Sequence, residues 1–370
     1  MLSQIEISNF KSFNENFIFN LNDTSSFAFN QECIKNSIVN KAVIYGQNGS
    51  GKSNLGFAIF DMISHLTDKK ITPSYYNNYL NANNTDKKAT FKFIFKFNDD
   101  IVEYIYTKTN YQTLIKEELI INGNSFASID REIETRFSTS AKGAETLNRE
   151  IGDSNISIIS YIFKNSILSE DKINNIFKQF KQFLNGMLYF RSINDAFYIG
   201  FEQGDRYLPH DIVEHNNLDD FELFLNNAGI ECNLISKKID DINHIYFKFN
   251  EKEIQFFDIV SSGTHALSIF YFWYQRLKEN NKISFLFIDE FDAFYHHSLS
   301  RTIINKLKEV SKTQVILTTH NTSIISNDLL RPDCYFLMNQ KEIKPLTKCT
   351  DRELREGHNI EKMYRANSFE

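Results

Sequence analysis

One stretch of this 370-residue chain restricts its fold more than any other. The apolar run Lys41-Ala-Val-Ile-Tyr45 leads directly into Gly46-Gln-Asn48-Gly49-Ser-Gly51-Lys52-Ser53. The octet satisfies the phosphate-loop pattern G-x-x-x-x-G-K-[ST] in full, and a helix carrying Leu55, Phe57, Ile59, Phe60 and Ile63 is expected after it. Each residue type has a chemical reason. Glycines let the backbone curl until several N–H groups face one anion. Lys52 can reach β- and γ-phosphates, the Ser53 hydroxyl can ligate Mg²⁺, and the next helix turns its N-terminus to the anion. Gly46, Asn48, Gly49, Gly51, Lys52 and Ser53 are therefore the expected nucleotide-binding set.

Two later segments suit the same kind of sheet. Ile283-Ser-Phe-Leu-Phe-Ile-Asp289-Glu290 is an apolar strand ending in two acids, one suited to holding Mg²⁺ and the other to polarising a water. An acidic pair at a strand end is common, and it is the complete phosphate loop upstream that gives this one a function. Thr313-Gln-Val-Ile-Leu-Thr-Thr-His320 is a second buried-type strand, ending in a histidine at the edge where such sheets keep their ligands. Helices are expected at 263–278 and 297–310, so strands and helices alternate in an α/β order.

The rest of the chain is less regular. Ile5 to Phe19 reads as strand, turn, strand, and residues 89–98 with 101–109 alternate as a β-hairpin. Residues 122–228 turn Asn-, Ser- and charge-rich, with helix-like patches at 155–168 and 170–190 and no long heptad run. Strands return at 244–250 and 253–259. The expected division is a β-rich N-terminal half with the phosphate loop (1–121), a largely helical insertion (122–228) and a C-terminal half (229–370).

Composition excludes several classes. A net charge of -6 gives no global attraction to nucleic acid or an anionic membrane. Only the run from Lys164 to Phe183 and the pair Lys237-Lys238 offer local basic patches. Cys33, Cys232, Cys334 and Cys349 are scattered without metal spacing, and Tyr295-His296-His297 lacks the spacing of a metal site. With neither a signal peptide nor an apolar run of membrane-spanning length, the expectation is a cytoplasmic protein with no membrane contact.

The stretch Ser261-Ser-Gly-Thr-His-Ala-Leu267 alone reads as a Ser/Thr helix cap. Taken with "ISNFKSF", "GQNGSGKS", "FLFIDEFDAFYH" and "ILTTHN", it makes the chain resemble ABC-type ATPase heads of the SMC and RecF kind. More narrowly, the chain is similar to bacterial AAA-type ATP-binding proteins of the AbiL/RloA kind linked to phage defence. The matching motifs lie within residues 1–60 and 255–370. The resemblance implies that Ser262, Gly263 and Thr264 form a signature facing the γ-phosphate of ATP on another subunit, so that a homodimer sandwiches two ATP molecules. It implies Asp289 as Mg²⁺ ligand, Glu290 as catalytic base, Asp292 in a loop near the partner, and His320 as switch histidine. Thr264-His265 departs from the transporter signature, and no Q-loop glutamine can be placed. The implied function is ATP binding and hydrolysis in a sensor or regulatory subunit of an antiphage or toxin-control system. The chain after His320 leaves no room for a nuclease domain, so a separate effector, a nuclease or toxin, is expected. The alternative is a RecF/SMC-like ATPase of DNA maintenance; a transporter subunit fits least, because the phosphate loop and signature are too far apart.

Overall fold

Strand periodicity separates two large sheets. The computed structural model describes residues 1–69, 71–152, 154–191, 198–201, 207–279 and 282–369. At the N-terminus β1 (Leu2–Ser8) pairs antiparallel with β2 (Phe17–Asn20), Ile5 lying opposite Phe19. A short ribbon of β3 (Ile34–Lys35) and β4 (Ile38–Val39) leads into β5 (Lys41–Tyr45), which is buried through Ile44. The glycine-rich loop, α1 (Lys52–Asp61) and a single turn, α2 (Ile63–Leu66), follow.

Alternation then governs β6 (Ala89–Phe97), β7 (Asp100–Lys108), β8 (Leu114–Ile121), β9 (Asn124–Asp130) and the two-residue β10 (Ser138–Thr139). Ala89, Phe91, Phe93 and Phe95 are buried on one face of β6, as a period of two requires. The expected hairpin turns at Asn98, which takes the left-handed φ of 55° that asparagine tolerates. These strands extend the first pair into an antiparallel sheet of order β10-β9-β8-β7-β6-β1-β2.

The middle of the chain runs α3 (Ile158–Asn165), α4 (Lys172–Asn185), β11 (Met187–Arg191), β12 (Tyr198–Gly200), α5 (Leu208–Glu214) and α6 (Leu218–Asn227). Next comes a small sheet of β13 (Leu234–Ile239), β14 (Ile242–Lys248) and β15 (Glu253–Gln255). The remainder is α7 (Phe256–Ile259), α8 (Ser262–Glu279), β16 (Phe285–Asp289), α9 (His297–Glu309), β17 (Gln314–Thr319), β18 (Tyr335–Met338), β19 (Ile343–Pro345) and α10 (Ile360–Arg365). The central sheet has the order β12-β11-β16-β17-β5-β18-β19, parallel from β11 to β18 with an antiparallel strand at each edge.

Three expectations are corrected. Residues 122–228 hold more helix than strand, but they are not one inserted unit. β9 and β10 belong to the antiparallel sheet, and β11 lies beside β16 in the central sheet. The helix-like patch at 170–190 ends at Asn185, because Gly186 caps it and Met187 to Phe190 form a fully buried strand. Residues 253–259 are strand only to Gln255; Phe256 then turns inward against Phe247 and Phe221, at ring distances of 4.9 and 5.6 Å.

The two large sheets meet through α1 and α4. Phe180 and Phe183 of α4 lie 5.2 and 5.4 Å from Phe95, and Phe183 reaches Phe285 of β16 at 6.3 Å. At the far end of α1, Asp61 receives hydrogen bonds from Lys108 at 2.8 Å and Tyr106 at 2.9 Å, with Asp61 and Lys108 fully buried. Burial draws Lys108 below the ordinary lysine value, and Asp61 opposes this. Removing one partner strands the other charge in the interior. Asp61→Asn should cost about 3–5 kcal/mol in urea unfolding, and adding Lys108→Met should restore most of it. A loss below about 1 kcal/mol for the single variant would show that the pair does not hold the sheets together.

Candidate functional site

The C-terminal ends of β5, β16, β17 and β11 open onto one edge, and the candidate residues collect there. After β5 the backbone turns through Gly49 and Gly51, whose φ values of 77° and 99° lie in the left-handed region. A Cβ on Gly51 would also come within 2.8 Å of Ser12 Oγ, so the loop closes against the turn after β1. Lys52 and Ser53 then open α1. Lys52 Nζ, almost fully buried, donates to Gly46 O at 2.7 Å and Gln47 O at 3.2 Å and lies 3.3 Å from His320 Nδ1. Burial draws Lys52 below the ordinary lysine value, while Asp289 and Glu290 pull it back up.

Asp289 is the hub. Its side chain is fully buried and accepts from Thr318 Oγ1 at 2.7 Å, Ser53 Oγ at 2.7 Å and Tyr189 OH at 3.2 Å. The Thr318 hydroxyl also accepts from Glu290 N at 2.8 Å, and Glu290 holds a φ of 50°. That conformation is costly for a residue with a Cβ, and it turns the Glu290 side chain off the strand toward His320 Nε2 at 3.9 Å. Asp292 is buried and accepts from Thr319 Oγ1 at 2.7 Å; burial raises its carboxyl above the ordinary range. The loop after β16 is thus bolted to β17.

The structure therefore brings together Lys52, Ser53, Asp289, Glu290 and His320. It does not bring Ser262, Gly263 and Thr264 to them. Ser262 is exposed at the start of α8, and Thr264 N donates instead to Ser261 Oγ at 3.2 Å, so Ser261 is the capping residue. Gly263 lies against the loop after β16: a Cβ there would meet Phe294 O at 3.1 Å. A cavity of about 700 Å³ runs beside Gly46 to Ser50, walled by the β18–β19 turn and by Tyr364 and Phe369.

One residue of this edge escaped the sequence reading. Arg191 ends β11 level with Asp289 and lies 3.1 Å from its Oδ2. The signal was Met187 to Arg191, a buried-type run ending in a charge, concealed by its fusion with the helical pattern before it.

For a metal, the donor set is one hydroxyl and one carboxylate. Among the described residues no group of three His, Cys, Asp or Glu could hold an ion by itself. Such a pair of hard oxygens suits Mg²⁺ that brings phosphate ligands with it.

A parallel sheet with a phosphate loop at one strand end and an acidic pair at another defines a P-loop protein of the ABC-type head class. The chain belongs to the family described as "AAA domain, putative AbiEii toxin, Type IV TA system", whose sequence model matches residues 41–326. A solved structure agrees on the fold. An SMC head bound to the C-winged helix domain of ScpA is 17% identical, with a TM-score of 0.50 over 94% of this chain and 99% of that one. The SMC head domain from Thermotoga maritima is 16% identical, with a TM-score of 0.43 over 93% of this chain and 98% of that one. No curated protein matches the chain. No helix among the described residues is long and apolar enough to cross a membrane.

His320 gives this geometry a measurable consequence. Burial is the main influence drawing its pKa below the ordinary histidine value, followed by the charge of Lys52, with Glu290 acting the other way. Because the folded value is depressed, the unfolded chain takes the proton first, and this ring opposes folding as pH falls through the free-histidine range. In an NMR titration its midpoint should lie below that of an unstructured histidine, and Lys52→Met should raise it. A midpoint at or above the free value would contradict the arrangement.

Proposed function

We propose that this chain binds ATP with Mg²⁺ at the loop 46–53 and hydrolyses it, and that the head works as a homodimer. The observation that carries this reading is the convergence of Lys52, Ser53, Asp289, Glu290 and His320 at one sheet edge. Gly46, Asn48, Gly49 and Gly51 lie in the loop whose amides would cradle the β- and γ-phosphates, with Lys52 against their charge. Ser53 and Asp289 would hold the Mg²⁺, which neutralises developing phosphate charge when bound. Glu290 accepts a proton from the attacking water, and His320 donates a hydrogen bond to the terminal phosphate as a neutral imidazole. The cavity beside Gly46 has the volume of an ordinary ligand site and would take the rest of the nucleotide.

The signature residues Ser262, Gly263 and Thr264 are assigned to the partner's ATP. Support comes from the exposure of Ser262 and from the contact of Gly263 with the loop that carries Asp292. Lys52→Ala should abolish binding of a fluorescent ATP analogue. Glu290→Gln should keep binding but lower turnover by roughly a hundredfold or more. Under ATP and Mg²⁺, light scattering of Glu290→Gln should show twice the monomer mass, and adding Ser262→Arg should return it to the monomer. A dimer that survives Ser262→Arg would sink the assignment in trans.

The family description supports a role in toxin control. We infer a sensor or regulatory subunit of a toxin-control or antiphage system, acting in the cytoplasm through a separate effector, a nuclease or toxin. The ScpA domain bound to an SMC head is a precedent for a partner seated on such a head. Duplex DNA is the weaker partner, because the candidate basic runs are already neutralised. Lys164 pairs with Asp68, Lys172 with Asp100, Lys178 with Glu170, Lys237 with Glu253 and Lys238 with Asp241. Lys181 is buried on Leu66 O.

A further inference from the structure

Arg191 meets three groups of the phosphate site at once. Its Nη2 donates to Ser53 Oγ at 3.1 Å and lies 3.8 Å from Glu290 Oε2. Its Nε stands 3.1 Å from Asp289 Oδ2, an ion-pair contact not aligned as a hydrogen bond. Ser53 donates its own hydrogen to that same Asp289 oxygen at 2.7 Å. The serine hydroxyl has therefore committed its proton to the carboxylate and a lone pair to the arginine. A divalent cation held by Ser53 and Asp289 needs that lone pair and that oxygen. Like charges so close together also repel strongly in a half-buried site. Arg191 and the cation lay claim to the same atoms.

We propose that Arg191 is a positioning residue with two mutually exclusive stations. In one it rests on Asp289 and Ser53; in the other it has yielded them to the cation and lies on the terminal phosphate. A guanidinium is suited to both, since its planar fork matches carboxylate and phosphate alike. The neighbouring ammonium of Lys52 rests on Gly46 O and Gln47 O here, and it lacks the fork that lets Arg191 span Ser53 and Asp289 together. Metal alone must break the arginine contacts and give the guanidinium no new anion. Metal with a triphosphate supplies that anion, so each ligand favours the other. Arg191 thus makes the site respond to the pair rather than to either component. This inference rests on the nucleotide reading given above.

Mn²⁺ is the probe, its free concentration followed by electron paramagnetic resonance with no nucleotide present. Arg191→Gln should bind Mn²⁺ roughly tenfold or more tighter than the wild type, and adding Asp289→Asn should remove that gain. In the presence of a non-hydrolysable ATP analogue the difference should shrink, because the wild-type arginine then has a phosphate to occupy. Arg191→Lys, which keeps the charge and loses the fork, should bind Mn²⁺ as weakly as the wild type but discriminate less between triphosphate and diphosphate. A folding defect can only weaken metal binding, so a gain of affinity is a signature that structural damage does not imitate. Mn²⁺ affinity unchanged or lowered in Arg191→Gln would overturn the proposal. A parallel titration with the fluorescent ATP analogue keeps the two readings apart: a wild type that ignores nucleotide defeats the nucleotide reading, while the Mn²⁺ comparison still decides the role of Arg191.

Discussion

The fully buried carboxylate of Asp289 is the constraint on which the site depends. An ion in that position is tolerable only if its lone pairs are satisfied, and they are satisfied by different elements. Ser53 comes from α1, Thr318 from β17, and Tyr189 and Arg191 from β11. One side chain therefore fixes the first turn of the phosphate-loop helix against three adjacent parallel strands. A displacement of any of these elements would leave a buried charge short of a partner. The alignment needed to handle phosphate is thus a by-product of solvating this one acid.

The other end of α1 is anchored by the same physics. Beyond the Asp61–Lys108 pair, His65 Nε2 lies 2.7 Å from Tyr104 OH, which donates to Glu117 Oε1 at 2.8 Å. Glu117 also accepts from Ser157 Oγ at 2.5 Å and Ile158 N at 2.7 Å, at the cap of α3. Burial raises the Glu117 carboxyl above its ordinary range, and these hydrogen bonds oppose the shift. Polar contacts thus run from α1 and α2 through the antiparallel sheet to the middle of the chain. Breaking any link of this chain would leave a buried polar group without its partner, which is costly.

Much of this was legible in the residues. The phosphate loop, the acidic strand end and the histidine each depend on local chemistry, and local chemistry is written in short segments. The hairpin at 89–109 was equally plain, because one wet and one dry face force alternation. What stayed hidden was long-range. Met187 to Phe190 carry no alternation, since both faces of a central parallel strand are buried, and such a run is indistinguishable by period from the end of the preceding helix. Arg191 was lost with that strand, and with it the link between the middle region and the site. Which of the two adjacent serines caps α8 was also hidden: it is Ser261, a one-residue distinction that only cap geometry resolves.

Glu290 shows why the spacing of two acids says less than their backbone. Had the chain continued as a strand, successive side chains would point to opposite faces, and Glu290 would face away from the edge that Asp289 serves. The left-handed φ of 50° breaks the alternation at that residue. It is stabilised by the Glu290 N–H to Thr318 Oγ1 and by the Phe291 N–H to Thr318 O, at 2.8 and 3.1 Å. Thr318 therefore does two things at once: its hydroxyl solvates Asp289, and it holds the turn that aims Glu290. The same turn sends the chain through Asp292 to Phe294, against Gly263 at the start of α8. The acid that follows Asp289 and the start of α8 are thus linked through the loop from Glu290 to Phe294, which packs against Gly263.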